Sequence, residues 1–162
     1  MDDLVLDTCV LGDFLAQYMD TNRADHGHRD FVQDHNLSDE AARYINRLVA
    51  TYGPGLVVSS TLSFLELVRK WQEIVNDRFQ RDQFWAFVRD APDWFRIEPI
   101  DETLLPSLAR VPTTVLIDGK AFGVELMDRI HVATALVRGD DARIATTDGV
   151  LQTLPMLRGR VV

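Results

Sequence analysis

Four acidic residues stand where apolar segments end or where helices begin: Asp7, Glu66, Asp128 and Asp148. Asp7 closes the run Leu4-Val5-Leu6, and Asp148 closes the run from Ala142 to Thr147. Glu66 falls early in a helix that follows Leu56-Val57-Val58, and Asp128 falls early in another. In an open α/β sheet, the crevice beyond the carboxyl ends of the strands is the usual ligand site. Carboxylates drawn into one crevice repel, by about 1 to 4 kcal/mol per pair at ~4 Å and effective dielectrics of 80 to 20. Such a group wants a hard divalent cation, and oxygen-only ligands suit Mg2+ or Mn2+.

Each acid also has a plainer explanation. Asp7 and Asp148 could cap the helices that follow their strands. Glu66 projects opposite the apolar stripe Phe64, Leu67, Val68, Trp71, Ile74 and Val75, beside Arg69, Lys70 and Glu73, where a solvated face would put it. Asp128 is different, because its helix is apolar nearly all round: Leu126, Met127, Ile130, Val132, Ala133, Ala135, Leu136 and Val137. A carboxylate there needs a cation, a donor network or a proton. An ion pair with an arginine is the plain alternative to a metal.

The elements that must position these residues alternate between strand and helix. A buried strand over residues 3–7 leads into a helix from about Thr8 to Met19. Residues 20–37 are polar and without periodicity, and are expected to form a loop inserted in a single domain spanning 1–162. Ser38 precedes Asp39 and Glu40, a helix-start signal for a segment ending near Gly53-Pro54. Leu56 to Val58 reads as a strand. Ser59 or Ser60 caps a long helix to about Asn76, and a further helix covers Phe79 to Arg89. Trp94 to Ile100 reads as a strand and Asp101 to Ala109 as a short helix. Asp118-Gly119 sits between the short apolar runs Val115-Leu116-Ile117 and Ala121-Phe122, a hairpin signal. The helix from Glu125 to Arg138 ends at Gly139. A strand from Arg143 to Thr147, a short helix after Asp148 and a last edge strand within Leu157 to Val162 complete the chain. The alternation predicts a three-layer α/β/α domain with a mostly parallel sheet.

Taken together, Leu4-Val5-Leu6-Asp7-Thr8-Cys9-Val10-Leu11, Ser63-Phe64-Leu65-Glu66-Leu67-Val68, Asp128-Arg129-Ile130-His131-Val132-Ala133-Thr134-Ala135-Leu136 and Ile144-Ala145-Thr146-Thr147-Asp148 resemble the PIN domain, in family order and over nearly the whole chain. Within that family the chain looks most like the VapC-type toxins of toxin–antitoxin pairs. The resemblance implies a metal-dependent endoribonuclease with Asp7, Glu66, Asp128 and Asp148 as the Mg2+- or Mn2+-binding acids. Thr8 and Thr146 fall where the family often places a hydroxyl beside them. It also implies an RNA substrate, a small antitoxin whose C-terminal segment fills the groove, and a homodimer as a common assembly. The 20–37 insertion and the Asp118-Gly119 hairpin depart from compact family members, near the expected groove edges.

Phosphodiester hydrolysis needs an in-line nucleophile and charge relief on the phosphate, and a metal site supplies both. Asp7 and Asp128 are expected to bind most directly, Asp148 to complete the site, and Glu66 to orient or deprotonate the attacking water. The expected products carry a 5′-phosphate and a 3′-hydroxyl. Arg69, Lys70 and Arg129 adjoin these motifs and could grip the RNA backbone, or pair with surface acids instead.

The rest of the chain sets bounds. Its 162 residues are 46% hydrophobic, with a net charge of −8, so a general affinity for polyanions is excluded. No apolar run reaches the ~20 residues of a membrane span, and a cytoplasmic protein is expected. His26, His28 and His35, with Asp25, Asp30 and Asp34, lack the spacing of a tetrahedral metal site. His131 is expected to be a satisfied helix histidine, and Cys9 a small packed residue without a base. Trp71, Trp85 and Trp94, with Phe79, Phe84 and Phe87, are expected in the core. A phosphoaspartyl mechanism fails because Cys9 stands where a second acid is needed, and a dinucleotide fold lacks its glycine-rich turn. The competing function is a non-catalytic PIN-like binding module or scaffold, consistent with the acidic charge and the insertion. A further alternative is an RNA-processing nuclease outside any toxin–antitoxin pair.

Overall fold

Strand β1 (Leu4–Leu6) is buried along its whole length, as a strand covered on both faces must be. The computed structural model describes residues 2–20, 30–51 and 55–162. β1 lies between β2 (Val57–Ser60) and β6 (Arg143–Ala145), and β3 (Phe95–Glu98) flanks β2. All pairings in this four-stranded sheet are parallel, with Val5 opposite Val58 on one side and Ile144 on the other. Because side chains alternate across a strand, Leu4, Leu6, Val57 and Ala145 face one core and Val5, Val58 and Ile144 face a second.

The first core is built with α1 (Thr8–Tyr18), α2 (Asp39–Thr51), α3 (Thr61–Arg69), α4 (Trp71–Ile74) and α5 (Arg81–Arg89). Its centre is aromatic, with Phe14 stacked on Phe31 and Phe95 at ring separations of 4.9 and 5.2 Å. The second core packs α7 (Leu126–Val137) and α8 (Gly149–Gln152) on the opposite face, together with Leu104 and Val111 at either end of α6 (Leu105–Arg110). The architecture is therefore the expected three-layer α/β/α sandwich.

Several boundaries differ from expectation. The helix predicted from Ser59/Ser60 to Asn76 breaks at Lys70, whose ψ of 31° leaves the helical range, so α3 and α4 are separate. Asn76 and Asp77 then take left-handed φ angles of 48° and 61°, which turns the chain back and aims Arg78 at α1. Trp85 is exposed, because α5 turns Phe84 and Phe87 inward and leaves the intervening position facing out. The last edge strand reduces to a single parallel bridge from Val161 to Ile144, since the chain first coils through Pro155–Leu157.

The hairpin forms as expected, from β4 (Thr114–Ile117) and β5 (Lys120–Gly123), with Ile117 opposite Lys120. Asp118 and Gly119 both have positive φ, 51° and 77°, which is the type I′ turn that suits strand twist.

Part of the polar insertion is anchored rather than loose. Asp13 on α1 is 1% exposed, and its carboxylate accepts the backbone N–H groups of Asn36 and Leu37 and pairs with Arg78. Arg78 also reaches Asp34 at 3.2 Å, and Leu37 is fully buried. His26, His28, Asp25, Gly53 and Pro54 lie outside the described residues; His35 is exposed and 3.6 Å from Asp34. No helix among the described residues is long and apolar enough to cross a membrane.

Candidate active site

The carboxyl ends of β1 and β6 are adjacent, and the chain leaves them in different directions. Strand order β3-β2-β1-β6 runs outward one way from β1 and then returns to its other side, which opens a crevice between β1 and β6. Asp7 and Asp148 sit on its two sides. α3 brings Glu66 and α7 brings Asp128 to the same cleft, of about 610 Å³, whose lining also includes Thr8, Lys70, Glu125 and His131. A cleft of equal volume, about 610 Å³, lies beside α1 and Arg78, but there Asp34 and Arg78 are already paired.

Asp7 and Asp148 do cap helices, as the plainer explanation held. Asp7 Oδ1 accepts the N–H of Val10 at 2.9 Å, and Asp148 Oδ1 accepts those of Val150 and Leu151 at 2.7 and 2.9 Å. Capping does not remove them from the cleft. Asp7 is 7% exposed, and burial raises its carboxyl above the ordinary range against the pull of Thr146, Val10 and His131. Thr146 lies between the two acids: its oxygen accepts the N–H of Asp148 at 3.1 Å, and its hydroxyl pulls the Asp7 carboxyl down.

Glu66 is not on a solvated face. Its side chain is largely covered, because the start of α1 and the flank of α7 close over the side of α3 away from the core. Thr8 donates to its Oε2 at 2.7 Å, while Lys70 and Arg69 approach Oε1 at 3.1 and 3.4 Å. Burial opposes its charge, but the hydrogen bonds of Thr8 and Lys70 prevail and hold the carboxyl below its usual value. Lys70 is raised in turn by the same bond.

Asp128 carries the least compensated charge. Among the described residues no basic side chain pairs with it. The adjacent Arg129 instead donates to the carbonyls of Val111 and Leu108, both at 3.2 Å, and does not line the cleft. Burial, followed by the charges of Asp148, Glu125, Asp7 and Glu66, pushes the Asp128 carboxyl up to about 6. Glu125, which precedes α7, was not singled out in the sequence; only its place at the N-cap of an apolar helix pointed to it.

His131 was considered and set aside from the sequence, yet it lies at the bottom of the cleft, 3% exposed. Its Nε2 is 3.4 Å from the Thr8 hydroxyl and its Nδ1 is 3.4 Å from that of Ser63. Burial lowers its pKa despite Asp7 and Glu66, so the ring is neutral at pH 7. Its place one turn beyond Asp128 was the available signal. Cys9 lines the cleft too, but burial, followed by the charge of Asp7, raises its thiol to about 11, which removes it as a nucleophile at neutral pH.

The donor set fits a divalent cation. Among the described residues no three acidic, imidazole or thiol groups already form a metal cage. Mg2+ does not demand one, since it keeps several waters and takes one or two carboxylates. The positive charge would relieve the repulsion that burdens Asp128. No protein-family profile, no curated protein and no solved structure matches this chain.

Proposed function

We propose that this chain is a Mg2+- or Mn2+-dependent endoribonuclease of the PIN type, hydrolysing RNA phosphodiester bonds. One observation carries the reading: Asp128, without a basic partner, shares its cleft with Asp7, Glu66 and Asp148, brought there from three other elements. A purely structural cluster would pair such a carboxyl with an arginine, and the nearest one is engaged elsewhere.

Asp7, Asp128 and Asp148 would hold the cation, with Glu66 at the edge of the site. When bound, the cation supplies an activated water and offsets charge on the phosphate. The chain's own residues do the positioning. Thr146 accepts the N–H of Asp148 and favours the charged form of Asp7, so one hydroxyl serves both acids. Glu66, held ionised by Thr8 and Lys70, is a weak proton acceptor and suits orienting a water by hydrogen bonding better than deprotonating it. Lys70 lines the cleft and can meet a backbone phosphate; Arg69 lies outside the lining, exposed beside Glu66. A toxin role brings with it a small antitoxin partner and a homodimer, and an adjacent short antitoxin frame tests that part.

The Lys70–Glu66 pair at 3.1 Å favours a second reading, a non-catalytic binding module, since it already places a cation against one acid. Cleavage of structured RNA with and without Mn2+, alongside Asp7→Asn, separates the two. Metal-dependent cutting lost in the variant supports the nuclease. No cutting by the folded, Mn2+-loaded protein across varied RNAs overturns it in favour of the binding module.

A further inference from the structure

A row of buried hydroxyls runs from the end of β2 to Glu66, with His131 in the middle. Its direction follows from counting protons. The Ser60 hydroxyl oxygen accepts the N–H of Ser63 at 3.2 Å, and its own proton can point to the Ser63 hydroxyl 3.1 Å away. Ser63 can then donate to His131 Nδ1, which must be unprotonated to accept. At the other end, Thr8 spends its only proton on Glu66, so its oxygen needs a donor from His131 Nε2. The Thr8 end demands hydrogen on Nε2, and a neutral ring then leaves Nδ1 bare to accept from Ser63, as the hydroxyl row allows.

The opposite tautomer breaks the chain. A bare Nε2 facing Thr8 would take the Thr8 proton and leave Glu66 Oε2 without its bond. Glu66 would then be held through Oε1 alone, by Lys70 and Arg69, and Oε2 would no longer be fixed. Both imidazole contacts are long at 3.4 Å, as bonds in a site often are before substrate tightens it.

We propose that His131 is a positioning residue: as the Nε2–H tautomer it sets a one-way chain Ser60→Ser63→His131→Thr8→Glu66 that fixes Oε2, while Oε1 stays paired with Lys70 and Arg69. Its consequence for catalysis rests on the nuclease reading above, while the chain itself does not. Charge is not transferred along it. The imidazole acts by orientation, as groups behind the ligands of a metal site commonly do.

Nitrogen-15 NMR of histidine-labelled wild-type protein, metal-free at pH 7, tests the chain independently of activity. The expected spectrum has an unprotonated Nδ1 and a protonated Nε2 for His131. A protonated Nδ1, or an imidazolium, overturns the proposal. His131→Gln retains an N–H donor near the Nε2 position, whereas His131→Asn reaches only the Nδ1 position. With Mn2+ and RNA, Asn should lower kcat by about 10- to 100-fold with KM unchanged, and Gln should recover most of the rate. Equal rates in Gln, Asn and wild type also overturn it. If wild-type protein cuts no RNA while the tautomer is as expected, the nuclease reading fails and the hydrogen-bond chain stands.

Discussion

Asp148, at the end of β6, is the strongest charged influence on Asp128 of α7, second only to burial itself. The two belong to different layers of the sandwich, and the sheet end brings them together. Their mutual repulsion makes the cleft a place where a proton or a cation is welcome.

The first prediction concerns pH. Asp128 is raised to about 6, so it is ionised at pH 7.5 and mostly protonated at pH 5. A cation competes with that proton, and Mn2+ affinity measured by calorimetry should fall by about tenfold between those values. Affinity that is flat from pH 7.5 to 5 would remove Asp128 from the ligand set.

Asp128 should also cost stability when no metal is bound. Its folded pKa of about 6 lies above the ordinary 3.8, so the folded state gains stability as pH falls through 6 and loses it as pH rises. Asp128→Asn should therefore raise the metal-free melting temperature at pH 7.5. With half of the group in water the gain is about 1 kcal/mol, or roughly 2–4 °C. Calorimetry should show this gain together with a loss of cleavage; a variant that melts lower would contradict the repulsion.

Asp7 has two jobs that substitution can separate. Asparagine caps a helix about as well as aspartate, so Asp7→Asn should keep the fold and lose cleavage. Asp7→Ala should lose cleavage and about 1 kcal/mol of stability as well. Urea melts of both variants distinguish the cap from the chemistry.

Away from the cleft, Arg78→Ala should leave the Asp13 carboxylate buried beside only two backbone donors. The expected cost is about 3 kcal/mol, with amide exchange quickened at Asn36 and Leu37 more than along α1. Exchange unchanged at those amides would mean that Asp13 does not anchor the segment.

The strand–helix alternation and the terminal acids Asp7 and Asp148 were legible because burial on both faces leaves continuous apolar runs. Asp128 was legible from the apolar helix around it. Glu66 was misplaced because a projection of α3 alone cannot know that α1 and α7 cover its other side. Arg129 looked free because nothing in the local pattern announces that Leu108 and Val111 offer it carbonyls. His131 was undervalued for a similar reason. Its partners Thr8 and Ser63 are remote in sequence, and only the assembled sheet brings them to one ring.

The pairing of β1 with β6 has a consequence for biosynthesis. Leu6 cannot find Ala145 until residue 145 has left the ribosome, so the cleft does not exist in a chain made only through β1, β2 and β3. Long-range parallel pairing of this kind is slow. It is also the step that brings Asp7 and Asp148 to the same sheet end. A half-made chain thus presents no cleft, by its own strand order alone.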